Sequence, residues 1–111
     1  MSDEVFGYLT TTGRVTGQPH TIEIWFAAAN GTIYLLSGGG DRADWVRNLL
    51  ANGEAKVRIG STERSGRGRA ITAQDELAIA RQLVFEKYQP RKENDLSNWR
   101  DTALPVAIDL T

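Results

Sequence analysis

Ser37-Gly38-Gly39-Gly40 is the stretch with the clearest chemical potential, because three consecutive glycines leave bare backbone that can approach a ligand. A helical pattern opens directly after it. The first N–H groups of a helix have no intrahelical partner, so a bare loop feeding a helix start is a candidate anion site. Asp41 is placed to cap that helix, Asp44 partly completes a capping box, and Arg42 stands beside the loop. His20, the only histidine, reads either as a polar surface residue or as an acid or phosphate partner. Neither a catalytic triad nor a metal-ligand constellation stands out. With no cysteine, the chain has no thiol chemistry, disulfides or Cys-based zinc site.

Several elements must position these residues. Residues 5–12 alternate loosely and read as a strand, and residues 13–19 have turn composition. Across 21–27, Ile22, Ile24 and Phe26 share one face while Thr21, Glu23 and Trp25 share the other, which predicts a second strand. Trp25 is thereby aimed at a pocket or an interface. Asn30-Gly31 signals a type I′ hairpin into a third strand over 32–36. A helix over 41–51 is expected to bury Trp45 and Leu49, with Asn52-Gly53 as its stop. Ala55, Val57 and Ile59 mark a half-buried fourth strand. Residues 64–71 form a fifth, whose small face of Gly66, Gly68 and Ala70 implies close packing. Thr72 is placed to cap a second helix that Pro90 ends. Residues 91–103 read as a loop with one helical turn, and 104–110 as a closing strand. Six strands joined mainly by hairpins, with two helices, predict one mainly β domain over residues 1–111: an antiparallel sheet curled into a barrel with helices outside.

The totals narrow the function. The 111 residues suit a single core, and a net charge of −1 does not suggest nucleic acid as a partner. Basic residues nevertheless gather between Arg42 and Arg69, and Arg67 and Arg69 read first as a solvated face. No run approaches the ~18 apolar residues of a membrane span. The acidic start, Met1-Ser2-Asp3-Glu4, is followed by no long apolar region, so no signal peptide is visible and a cytoplasmic protein is expected.

Two motifs together carry a resemblance. Thr10-Thr11-Thr12-Gly13-Arg14-Val15-Thr16-Gly17-Gln18-Pro19-His20 resembles the opening motif of the deazaflavin-dependent nitroreductase family. Ser37-Gly38-Gly39-Gly40, Trp45 and Arg47-Asn48-Leu49-Leu50-Ala51-Asn52 resemble its second signature. Pro105-Val106 matches its closing strand. The resemblance implies a split β-barrel related to flavin-mononucleotide-binding oxidases of the pyridoxamine phosphate type. It also implies an 8-hydroxy-5-deazaflavin coenzyme (coenzyme F-420) and hydride transfer to a planar, electron-poor acceptor such as a quinone or nitro compound.

By matching position, the resemblance puts Thr16 and Gly17 near the cofactor's phosphate-bearing tail, with His20 where an arginine is typical. It puts Ile24, Trp25 and Phe26 on the strand lining the ring system, and Ser37, Gly38 and Gly39 on the loop facing the cofactor, with Arg42 beside it. Val15 stands where lysine is common and Glu23 where proline is usual. These departures remove positive charge. They keep flavin mononucleotide as the alternative cofactor. They also keep a non-catalytic carrier or sensor, or a barrel that has lost cofactor binding, as the alternative function. Many split barrels hold ligand at a two-fold interface, and exposed sheet edges favour cover, so a homodimer is expected.

Overall fold

The structure is a computed structural model and describes residues 5–111. Its strands are β1 (Gly7–Thr12), β2 (Pro19–Ile24), β3 (Ala27–Ala29), β4 (Thr32–Ser37), β5 (Glu54–Ile59), β6 (Thr62–Ala70) and β7 (Leu104–Leu110). Helices α1 (Asp44–Ala51), α2 (Gln74–Tyr88) and α3 (Ser97–Thr102) complete it. All strands pair antiparallel in one sheet of order β2-β1-β5-β6-β7-β4-β3.

The two edge strands, β2 and β3, are consecutive in the chain and only Trp25 and Phe26 separate them. The sheet therefore curls until its edges meet at a two-residue corner with no ladder across it, which makes the barrel split. The expected strand over 21–27 is in fact these two strands, giving seven in place of six. Side-chain alternation continues through the corner, so it could not reveal the break. The break itself is held from outside: the Phe26 N–H donates to the Tyr88 hydroxyl at 2.9 Å. That hydroxyl also reaches the carbonyls of Val5 and Phe26. Burial pushes the Tyr88 phenol above its ordinary pKa, which keeps the O–H proton available for donation.

The Asn30-Gly31 hairpin forms as expected, with φ of 53° and 79° at its two central residues. The inner face of the sheet buries Leu9, Ile24, Phe26, Ile33, Leu35, Val57, Val106 and Ile108 around Val46 and Leu49 of α1. Helix α1 approaches very closely because β6 has no side chain beneath it. A Cβ added at Gly68 would lie 2.2 Å from Leu49 Cγ. Gly68→Ala should therefore overpack this contact and cost about 1–3 kcal/mol, readable as a lowered urea midpoint with an unchanged m-value.

Helix α2 lays Ala80, Val84 and Tyr88, at four-residue spacing, on the outer face against Tyr34, Leu36 and Ala107. An ionic network pins its first turn. Arg69 donates to both Glu76 oxygens (2.7 and 2.8 Å) and to Asp109 (2.7 Å), while the Tyr34 hydroxyl donates to Glu76 (2.8 Å). Arg69, expected from sequence to lie on a solvated face, is instead a clamp between Glu76 and Asp109. These bonds lower the Glu76 pKa to about 2, and Arg69 likewise holds Asp109 below the usual carboxylate range. A depressed carboxylate stabilises the fold above its unfolded pKa and loses that contribution as pH falls through its folded value. The melting temperature should therefore fall between about pH 4.5 and pH 2. Arg69→Met should lower it at pH 7 and flatten that acid limb.

Three local expectations are corrected. Asp41 does not cap α1: a 3₁₀ turn over Gly40–Arg42 intervenes and Ala43 is the N-cap. Ala73, not Thr72, precedes α2. Asn52, the C-cap of α1, is extended, so that helix ends without a left-handed residue. At the two helix starts the polar side chain stands one or more positions from the cap; at the end of α1, Asn52 holds the cap position but in an extended conformation.

Candidate functional site

A cleft of about 440 Å³ opens between the β1–β2 loop and α1. The loop is a closed turn. Gly13 N–H donates to Gln18 O (2.8 Å) and Gly17 N–H to Gly13 O (2.9 Å), with Gly17 at φ 74°. Such a backbone favours glycine. The turn presents Arg14 to the helix. Arg14 donates to Asn48 Oδ1 from both its backbone N–H (3.1 Å) and its guanidinium (2.8 Å), and to Asp44 Oδ1 at 3.2 Å. Asn48 is 5% exposed, so this is a half-buried clamp joining the two walls. It recruits a polar residue lying between Val46 and Leu49 on the buried side of α1.

Thr11 and His20 face each other across the β1–β2 ladder and both line the cleft, with half-buried Ile22 and Trp45 supplying its apolar surface. The Thr11 hydroxyl is buried and has no hydrogen-bond partner among the described residues. A buried polar atom without a partner is uncommon enough to mark a place where a ligand or water would be held. A Cβ at Gly13 would stand 2.9 Å from His20 Nε2, so the glycine is what lets the imidazole lie against the loop.

The residues expected to form the site fall into two groups. Thr16 and His20 line the cleft, and Gly17 shapes its turn without lining it. Ile24 and Phe26 are buried in the barrel interior. Trp25 points to the other face, where it stacks on Tyr88 (4.5 Å between centroids, 11° between planes) and meets Trp99 edge-on at 5.6 Å. Lys92 lies over its ring at 4.5 Å. Ser37 is buried and donates its hydroxyl to Gly40 O (2.9 Å). Gly38 and Gly39 are exposed, with Gly38 beside Trp99. Arg42 is exposed in the 3₁₀ turn. The glycine loop therefore borders the aromatic group and does not line the cleft, and it does not feed helix N–H groups directly.

Arg14, Asn48, Asp44, Trp45, Thr11 and Ile22 are cleft residues absent from the expected set. Trp45 was expected to be core, but is half-buried at the cleft wall. The signal that could have found Asn48 is its polarity on an otherwise apolar helix face. Arg14 was within the motif but carried no local mark of its partner. No group of residues suited to hold a metal ion occurs among the described residues.

Comparison with known proteins follows the same lines. Among solved structures, an F420-H2 dependent reductase superposes with a TM-score of 0.72 at 24% identity, over 96% of this chain and 94% of that one. A structure described as a domain-swapped dimer gives 0.75 at 26%, over 98% and 81%. The heme storage protein HutZ of Vibrio cholerae gives 0.75 at 11%, over 98% and 83%, so the split barrel itself serves more than one ligand. The family model described as F420H(2)-dependent quinone reductase matches residues 4–111. That match takes in both cleft walls, the glycine loop and the closing strand together, and the chain belongs to the F420H(2)-dependent quinone reductase family.

Proposed function

We propose that the chain binds the 8-hydroxy-5-deazaflavin coenzyme with its anionic tail in the Arg14–His20 cleft and delivers hydride to a planar, electron-poor acceptor of the quinone type. The observation that carries this reading is the clamp of Arg14 on Asn48 and Asp44, which builds one cleft from the two segments that bear the family's motifs. The residues suit such a ligand. Arg14, Thr16 and His20 offer polar and charged contacts to a tail, the unpartnered Thr11 hydroxyl lies in the wall, and Ile22 and Trp45 give apolar surface. The volume falls within the ~300–1,000 Å³ common for small-molecule sites. Ile24 and Phe26 are closed off in the barrel interior, so the ring system would lie toward half-buried Trp25 and the exposed Gly38–Gly39 backbone, with Arg42 at its margin.

Bound there, the deazaflavin supplies the hydride; the chain contributes binding, orientation and exclusion of water. Arg14 would hold the tail by charge-assisted hydrogen bonds, and its own tether to Asn48 would fix where the tail sits. No side-chain acid or base is required for hydride delivery itself.

A homodimer is part of the reading, supported by the similarity to a domain-swapped dimer and by the outer faces of β1, β2 and β5, which no helix covers. Fluorescence titration with the deazaflavin coenzyme and with flavin mononucleotide tests the cofactor, and turnover of the reduced coenzyme with menadione tests the reaction. Micromolar deazaflavin binding with menadione reduction is expected. Preference for flavin mononucleotide would replace the cofactor, binding without turnover would make the chain a carrier, and failure to bind either would overturn the reading.

A further inference from the structure

The ionisable groups lining the cleft are three: Arg14 from the loop, His20 from β2 and Asp44 from α1. Arg14 and Asp44 are paired at 3.2 Å, so one positive charge is offset by one negative charge within the cleft. The facing residue on β1, Thr11, is uncharged, and Glu23 of β2 belongs to the opposite face of the strand. The other charged residues of α1 and its approach, Asp41, Arg42 and Arg47, do not line the cleft. What remains to decide the sign of the cleft is the imidazole, held against the loop at Gly13.

We infer that His20 is the specificity-determining charge of the cleft: protonated, it adds to Arg14, makes the lining net positive and sharpens selection of a ligand with an anionic tail; neutral, it leaves that selection to Arg14 alone. This rests on the proposed cofactor reading and goes beyond it in stating when, and for which tails, the cleft binds. The discrimination is therefore read across the pH range in which histidine side chains in general change charge. His20 is exposed, and screening limits the effect to about three- to tenfold in affinity at low ionic strength, shrinking as salt is added.

The test compares flavin mononucleotide with riboflavin, which lacks the phosphate, and the deazaflavin coenzyme with its phosphate-free chromophore, each titrated between pH 8 and pH 5. A phosphate monoester itself takes up a proton near pH 6, so the slope is read as the difference between wild type and His20→Gln. Wild type should gain about three- to tenfold for the phosphorylated ligands as pH falls, and no more than His20→Gln for the others. His20→Arg should bind the phosphorylated ligands tightly at every pH. Because the chain has a single histidine, its imidazole resonance can be followed by NMR, and its titration midpoint should rise when a phosphorylated ligand is bound. Binding whose pH slope is the same in wild type and His20→Gln, or an imidazole midpoint unmoved by ligand, overturns this inference and leaves the cofactor reading standing. Failure of every ligand to bind at any pH overturns both.

Discussion

Arg14→Ala is expected to weaken binding of a phosphate-bearing flavin or deazaflavin by about tenfold to a hundredfold, the largest loss from any single side chain of the cleft. Two effects combine. The guanidinium supplies the lining's only permanent positive charge, and it also joins the loop to α1 through Asn48 Oδ1. The backbone N–H of residue 14 still reaches Asn48 in the alanine variant, so the loop need not unravel. Arg14→Lys separates the effects, because lysine keeps the charge but cannot reproduce the guanidinium fork across Asn48 and Asp44. If charge dominates, lysine recovers most of the affinity; if placement dominates, it recovers little. Calorimetry well below the melting temperature checks the result, and an alanine variant that binds like wild type would remove Arg14 from the site.

Tyr88→Ala should have the largest effect on stability, about 3–5 kcal/mol, against a total of roughly 5–15 kcal/mol for a domain of this kind. Tyr88 is fully buried, stacks on Trp25 and satisfies the Phe26 N–H at the corner where the barrel splits. Tyr88→Phe isolates the hydroxyl. It keeps the ring and leaves a buried N–H without its partner, for an expected cost of about 1–3 kcal/mol. Denaturant unfolding of both variants gives the two numbers. A phenylalanine variant as stable as wild type would mean that the corner stands without the hydroxyl.

Much of the barrel was legible in the sequence because its signals are local. The alternation of Ala55, Val57 and Ile59, the Asn30-Gly31 pair and the small face of β6 each report a backbone state within a few residues. The corner at Trp25-Phe26 was not legible, because the group that satisfies its Phe26 N–H is a hydroxyl 62 residues further along the chain. The cleft lies between these extremes. Thr16 and His20 were found because they sit in a motif, while Asn48 was not, because its partner Arg14 lies 34 residues away and only packing of α1 onto Gly68 brings them together. The glycine loop read from sequence as a candidate anion site, yet it does not line the cleft, since a run of glycines announces backbone freedom without saying which neighbour it serves.

The corner also bears on the order of folding. The β3–β4 hairpin closes over two residues and β5–β6 over a short turn, so both can form early from local contacts. The Trp25-Phe26 joint waits for α2 to dock, because its hydrogen-bond partner sits at that helix's last residue. A joint that sets late is absent from the rate-limiting transition state. Tyr88→Phe should then leave the refolding arm of a chevron nearly in place and raise the unfolding arm, so that the hydroxyl governs how long the barrel stays shut more than how fast it closes.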